Sequence, residues 1–278
     1  MTAYDFTSGL SDKHRLLMDS LAEVQSCGIA FSGGVDSSVL AQTAFCVLGD
    51  RATAIYLTGD TATVVEQETA QRIASEIGIR LLVFRGVEFA EPEFLRNGVD
   101  RCYHCKKTRF SQLLTWAKDN RVELIVEGSN ADDAKDYRPG SRAAKELGVR
   151  APLVEVGLTK EEIRLLARRG GLSNWNLPAS PCLATRIEYD LPITVERLRR
   201  IAAAEAFLTV RGFSPVRVRL HGNELARLEI APDQMPRFLD EDSRRLVHEK
   251  LTELGFAFVT LDLAGFQSGS MNRTILQK

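Results

Sequence analysis

Apolar and polar positions fall into two successive patterns along the chain. In the first, short apolar runs of strand length alternate with stretches of helical spacing. Leu16, Leu17, Leu21 and Val24 predict an amphipathic helix over 12–26. A strand is expected at 29–31, followed by a helix carrying Val39, Leu40 and Ala44. A second strand is read at 54–57 and a helix at 63–77, with Val64, Ala70, Ile73, Ala74 and Ile77 inward and Gly78 as its stop. A strand at 79–84, a helix at 107–118 and a strand at 124–126 continue the alternation. This order implies a mainly parallel sheet covered on both faces. Ligands of such sheets sit at the carboxyl ends of the strands, here Ser32, Leu57-Thr58 and Glu127-Gly128.

The pattern changes after Pro152. Thr159-Lys160-Glu161-Glu162 reads as a capping box opening a helix. A loop with Pro178, Pro181 and Pro192 runs through Cys182. A helix at 194–210, strands at 216–220 and 225–230, a helical stretch at 236–254 and a strand at 256–263 follow. The expected fold is α/β, a Rossmann-like parallel sheet over 1–175 with a smaller C-terminal α+β domain over 176–278.

Composition narrows the class. The chain has 278 residues, 44% of them hydrophobic and 26% charged, as in ordinary globular proteins. The net charge of −1 gives no global pull toward nucleic acid or anionic membrane. No apolar run reaches the roughly 20 residues of a membrane span, and the first residues lack a basic-then-apolar signal pattern. A cytoplasmic location is the expectation. Cys27 and Cys46 flank the first strand–helix unit and are expected to be buried small hydrophobes.

The chemistry begins at Ser32-Gly33-Gly34-Val35-Asp36-Ser37-Ser38, between a strand and a helix. Such a turn aims backbone N–H groups and the positive helix end at one spot, which suits phosphate. Gly33 and Gly34 permit positive φ and close approach of an anion. Ser32, Ser37 and Ser38 add hydroxyls. Asp36 repels phosphate directly, so a Mg²⁺ bridge is its natural role. The segment resembles the PP-loop of the ATP pyrophosphatase superfamily, whose members cleave ATP between the α and β phosphates. It is not a Walker A loop, because no Gly-Lys-Ser/Thr follows the glycines.

A second nucleotide element is Glu127-Gly128-Ser129-Asn130-Ala131-Asp132-Asp133. Gly128 lets a base or ribose approach the backbone, and Asp132 is placed to hold Mg²⁺ or a ribose. A solvated Asx turn is the plainer alternative. Arg138, in Asp136-Tyr137-Arg138-Pro139-Gly140, is a candidate for substrate or phosphate contact. Leu57 completes the nucleotide list from the end of the second strand.

Cys102 and Cys105 form a C-x-x-C just before the expected helix, and Cys182 stands alone in Ser180-Pro181-Cys182-Leu183-Ala184-Thr185-Arg186. Three soft thiolates suit iron–sulfur or zinc. Zinc would take a fourth ligand, with His104 and His221 as candidates. A [4Fe–4S] cluster on three cysteines keeps one iron open. Arg101, Lys106 and Lys107 would favour thiolates. A redox dithiol and metal-free thiols are the other readings.

Together these residues resemble the LarE family, ATP-dependent sulfur transferases of nickel-pincer nucleotide cofactor biosynthesis. Pro181-Cys182-Leu183-Ala184-Thr185-Arg186 and the late Val216-Arg217-Val218-Arg219-Leu220-His221-Gly222 and Ala226-Arg227-Leu228-Glu229 carry the resemblance most specifically. It implies adenylylation of a carboxylate of pyridinium-3,5-biscarboxylic acid mononucleotide with pyrophosphate release, then displacement of AMP by sulfur. Two sulfur sources occur in the family. A lone cysteine at the position of Cys182 gives up its own sulfur, or three cysteines hold a [4Fe–4S] cluster carrying an extra sulfide. Cys102 and Cys105 beside Cys182 resemble the cluster type, which implies a sulfide donor.

The implied cofactors are ATP, Mg²⁺ and the cluster, and the implied assembly is a homo-oligomer. Arg217 and Arg219 alternate onto one strand face, and the resemblance makes them ligands of phosphate or substrate carboxylate. Glu205 and Glu229 are candidate active-site carboxylates. Arg186 either binds anion beside Cys182 or anchors the loop.

Competing readings are a tRNA thiolase of the same superfamily, an amidating ligase and a non-catalytic nucleotide-binding module. The first needs a basic RNA face that the charge does not suggest. The second leaves the three cysteines without a role. The third leaves Asp36, Asp132 and the paired arginines without one.

Overall fold

The computed structural model describes residues 8–135, 139–178, 181–267 and 269–273. The chain divides into two compact units. One contains 8–91 and 102–178, the other 92–101 and 181–273.

The first unit is a four-stranded sheet with helices on both faces. Its elements are α1 (Ser8–Ala22), β1 (Cys27–Ala30), α2 (Val35–Leu48), β2 (Ala52–Thr58), α3 (Val64–Ile77) and β3 (Arg80–Arg85). After α4 (Pro92–Leu95), which belongs to the second unit, come α5 (Arg101–Asp119), β4 (Leu124–Glu127), α6 (Pro139–Glu146), α7 (Pro152–Glu155) and α8 (Lys160–Arg169). The strand order is β3-β2-β1-β4, and every pairing is parallel.

Side chains alternate across the strands, so each face receives its own core. Ala52, Ala54 and Tyr56 of β2 face α1, α2, α3 and α8. Ile55 and Leu57 face Phe110, Leu113 and Ala117 of α5. Each large aliphatic side chain buried there contributes roughly 1.5–3 kcal/mol. Among the described residues, no helix is long and apolar enough to cross a membrane.

The capping boxes at Thr63–Glu66 and Thr159–Glu162 start α3 and α8, and Gly78 ends α3 in the left-handed conformation. Three readings need correction. Val64 is 73% exposed: it opens α3, while the buried face begins only at Ala70. Leu16 lies outside the Leu17/Leu21 stripe and is half exposed. Cys46 is exposed, because the buried face of α2 continues through Ala44 to Leu48 and Cys46 lies off it.

The second unit is a three-stranded sheet, order β5-β6-β7, with α9 (Val195–Val210), β5 (Val216–His221), β6 (Leu225–Ile230), α10 (Glu241–Glu253) and β7 (Phe258–Leu261). β5 and β6 are antiparallel, and β6 and β7 are parallel. Val216, Val218 and Leu220 of β5 and Ala226, Leu228 and Ile230 of β6 are buried. The alternate positions of the same strands put Arg217, Arg219, Arg227 and Glu229 on the opposite face.

Candidate functional site

In the first unit the glycine turn lies between β1 and α2 and is braced from several sides. Gly33 has φ +74°, and a Cβ there would come within 2.8 Å of the Ala70 Cα. Gly34 caps α2, and its carbonyl accepts from the Ser38 backbone N–H at 3.0 Å and from the Ser37 and Ser38 hydroxyls at 3.0 and 2.8 Å. Those two hydroxyls therefore shape the loop. Ser32 and Gly34 are its exposed members. Asn174, fully buried, donates to the Gly33 carbonyl at 2.8 Å and to the Ser38 hydroxyl at 2.9 Å.

The second nucleotide element meets the same turn. A Cβ on Gly128 would lie 2.8 Å from the Ser37 backbone nitrogen, so only glycine lets β4 end this close to α2. The Asp132 N–H donates to the Asn130 side chain at 2.9 Å, the Asx turn. The Asp132 carboxylate also accepts from the Lys160 backbone N–H at 2.9 Å, and Lys160 Nζ lies 2.5 Å from Asp36 Oδ2. The start of α8 thus joins the two carboxylates singled out in the sequence.

Glu127 is buried and paired with Lys106 at 2.6 Å, and the Ser129 hydroxyl donates to it at 2.9 Å. Leu57 is buried, and its carbonyl accepts from Arg109. Arg138 lies outside the described residues.

Cys102 and Cys105 sit in the first two turns of α5, not before it. The helix starts earlier than expected because segment 92–101 folds with the second unit and delivers the chain at Arg101. At spacing i, i+3 the two thiols share a helix face. Cys102 is exposed and Cys105 half-buried. Of the nearby cations, Lys106 is engaged by Glu127, and Lys107 reaches the Tyr103 hydroxyl at 3.4 Å.

In the second unit Cys182 is exposed and precedes a short 3₁₀ turn, Leu183–Arg186. Arg186 is 2% exposed and makes a two-point pair with Glu205 at 3.0 and 3.2 Å. Its other nitrogen donates to the Pro181 carbonyl and, at 3.2 Å, to the Cys182 carbonyl. Thr185 donates to that Cys182 carbonyl at 2.7 Å. Arg186 therefore anchors the loop that presents Cys182.

Glu205 also accepts from the Val218 N–H at 3.0 Å, which ties the cysteine loop to β5. Glu229 is fully buried between Arg219, at 2.8 Å, and Arg227, at 2.9 Å. Arg217 differs from Arg219. Among the described residues no carboxylate pairs with it; it donates to the Val216 carbonyl and lies 5.3 Å from the Phe266 ring centre. Burial first, then the positive charge of Arg186, holds its guanidinium below its ordinary value. The second unit thus offers an unmatched cation on the sheet face that carries Arg219 and Glu229. His221, a candidate zinc ligand, accepts from Arg227 at 3.0 Å.

Within each unit, and among the described residues, no three His, Cys, Asp or Glu side chains are grouped to hold a metal ion. The three cysteines are divided between the units, two on α5 and one on the loop after 178.

No family model matches the chain. It is 36% identical over 267 residues to the pyridinium-3,5-bisthiocarboxylic acid mononucleotide synthase of Lactiplantibacillus plantarum, covering 96% of each protein. The chain belongs to that synthase's family, the LarE family. An uncharacterised protein of Synechocystis is 40% identical over 266 residues, 96% of this chain and 99% of its own. A glutamine-hydrolysing GMP synthase of Aeropyrum pernix is 32% identical over 203 residues, 64% of this chain and 38% of that enzyme. This relative agrees with the reading of the first unit as a PP-loop fold.

For a LarE-family chain, sequence reasoning located the loop, the cysteines and the strand arginines. It missed Lys160, Asn174, Lys106 and Arg109 as neighbours of the nucleotide segments. Lys160 had a signal, since a capping box beside a lysine was already legible. Asn174 had none.

Proposed function

We propose that the protein is an ATP-dependent sulfur transferase acting on pyridinium-3,5-biscarboxylic acid mononucleotide. A substrate carboxylate oxygen attacks the α-phosphorus of ATP, and pyrophosphate leaves with the bond electrons. Hydrosulfide then adds to the acyl adenylate carbonyl, AMP leaves, and loss of a proton gives the thiocarboxylate. No electrons are exchanged. The observation that carries this reading is the near full-length likeness to the synthase, supported by a Ser32–Ser38 turn that leads from a parallel strand into a helix N-terminus.

The backbone N–H groups around Gly33 and Gly34 bind the phosphates. Asp36 and Asp132 would hold Mg²⁺, which when bound would supply positive charge for the leaving pyrophosphate. Lys160, released from Asp36, adds a second positive charge there. Arg217, which has no carboxylate partner among the described residues, takes the anionic end of the substrate, where its guanidinium fork fits. Glu205 and Glu229 act on the site through Arg186 and Arg219.

In this reading Cys102, Cys105 and Cys182 would hold a [4Fe–4S] cluster. Their chemistry supports the group: three soft sulfur donors that are exposed or half-exposed, two of them on one face of α5. When bound, the cluster supplies an iron position open to sulfide.

The test is anaerobic purification with counts of iron, zinc and labile sulfide per chain, followed by assays of pyrophosphate and thiocarboxylate. Iron bound in the wild type and lost in the Cys102, Cys105 and Cys182 to Ala variants supports the reading. Zinc in its place returns sulfur donation to Cys182 itself. Pyrophosphate release without any thiocarboxylate contradicts sulfur transfer.

A further inference from the structure

Helix α5 sends two cations to the carboxyl ends of strands in the first unit. Lys106 pairs with Glu127, the last residue of β4, at 2.6 Å. Arg109, three residues on and on the same helix face, donates through Nη2 to the Leu57 carbonyl near the end of β2. β1 lies between β2 and β4. The two cations therefore stand on either side of the end of β1, where the chain turns into Ser32-Gly33-Gly34.

Register fixes which way the Leu57 carbonyl points. In a parallel ladder the backbone groups of alternate residues turn to the same neighbour. The Ile55 carbonyl accepts from the Phe31 N–H at 2.9 Å, on the β1 side, and the Thr58 carbonyl accepts from the Gly86 N–H at 2.7 Å, on the β3 side. Leu57 follows Ile55 by two, so its carbonyl turns to the β1 side. Ala30 pairs with Ile55, and the same register carried on by two residues sets Leu57 level with Ser32. Arg109 thus comes to the start of the glycine turn from the sheet face opposite α2.

The two cations differ in how far they are neutralised. Lys106 bonds its carboxylate directly. Arg109 Nη1 lies 3.9 Å from Glu88 Oε1, too far for a hydrogen bond. The Arg109 side chain is 26% exposed, and no described residue takes up its other N–H groups.

Glu88 is built into the sheet end. It is fully buried, and Oε1 accepts from the Thr61 hydroxyl at 3.0 Å while Oε2 has no hydrogen-bond partner. A Cβ on Gly86 would overlap Oε2, and one on Gly59 would lie 3.1 Å from Oε1. Two strand ends without side chains thus make room for one carboxylate. Among the described residues Arg109 is the one cation within ion-pair reach of it. A buried carboxylate needs a cation nearby. Arg109 is therefore kept in place by charge, without a bond that would use up its donors.

We infer that Arg109 binds a phosphate of the nucleotide held at the glycine turn, and that Glu88 is its positioning residue. The guanidinium fork fits two phosphate oxygens. The inference deepens the reading of this unit as an ATP site and rests on it.

The test is calorimetric binding of ATP and of adenosine to wild type, Arg109→Met, Arg109→Lys and Glu88→Gln, with the thermal midpoint of each. Arg109→Met is expected to weaken ATP about tenfold or more and adenosine less than about threefold, the loss of a charge-assisted bond to phosphate alone. Arg109→Lys keeps the charge without the fork and is expected to fall between wild type and Arg109→Met. Glu88→Gln keeps the shape and the Thr61 bond. It is expected to weaken ATP more than adenosine, and to add nothing in the Arg109→Met background.

ATP binding unchanged in Arg109→Met, or ATP and adenosine weakened equally, overturns the phosphate contact. Losses that multiply in the double variant overturn the positioning role of Glu88. If Arg109→Met does not fold, Arg109→Lys decides: a lowered ratio of ATP to adenosine affinity supports the inference, and an unchanged ratio overturns it. A wild type that binds no ATP overturns the nucleotide reading and this inference with it.

Discussion

Lys160 Nζ lies 2.5 Å from Asp36 Oδ2, joining residues 124 positions apart. The same lysine's backbone N–H holds Asp132. In the proposed reaction this cation would keep the Asp36 carboxylate oriented for Mg²⁺ and meet the charge on pyrophosphate. Lys160→Met is expected to slow pyrophosphate release about 10- to 100-fold, the equivalent of one charge-assisted hydrogen bond. Steady-state release at saturating ATP checks this. A rate within a factor of two of wild type would remove Lys160 from the mechanism.

Gly128 tests whether β4 and the glycine turn form one nucleotide cradle. A Cβ at this position meets the Ser37 backbone nitrogen at 2.8 Å, so the turn must move. Gly128→Ala is expected to weaken ATP binding tenfold or more, measured by calorimetry, with the chain still folded. Gly49, with nothing near its Cβ position, is not a neutral control, because its φ is +58°.

Arg217 and Arg219 are expected to fail differently. Arg219→Ala removes one of the two arginines on the buried Glu229 and leaves Arg227 and the Ser270 hydroxyl, so stability falls, by up to roughly 3–5 kcal/mol. Arg217→Ala breaks no ion pair. Its denaturation midpoint should stay close to wild type while KM for the anionic substrate rises. Urea titrations and substrate kinetics on both variants separate the two roles. Equal destabilisation would contradict the assignment of Arg217 as the unmatched cation.

Cys27 gives a pH signature. Burial pushes its thiol from 9.0 up to about 12. The unfolded chain therefore loses this proton first as pH rises. The stabilisation is fully present below about pH 9 and declines toward pH 12, by about 1.4 kcal/mol per pH unit within that window. Urea denaturation of wild type and Cys27→Ala at pH 8, 9 and 10 checks it. The difference between them should shrink as pH rises, and a constant difference would contradict the burial argument.

The fold was legible because the first unit obeys its periods. Apolar runs of strand length and helical stripes stand clear of one another, and Thr63, Gly78 and Thr159 mark helix ends. The start of α5 was not legible. What sets it is segment 92–101, whose Asn97 and Leu95 carbonyls accept from Asp190 and Ile193 N–H groups in the second unit.

The site shows the same division. Alternation put Arg217 and Arg219 on one face, but which one is neutralised depends on register. Glu229 stands directly across from Arg217 yet bonds Arg219 and Arg227, the like-charged pair one step along. Asn174 reaches the glycine turn from 141 residues away, and no local pattern announces it.

The most direct test of the central claim is the number of thiocarboxylates formed per chain. The protein is reconstituted anaerobically and supplied with ATP, Mg²⁺, substrate and sulfide, and product is counted against protein. The account expects many products per chain, with Cys182 keeping its sulfur by mass. Product that stops at one per chain, with Cys182 lighter by one hydrogen sulfide, would contradict it and make the cysteine itself the sulfur source.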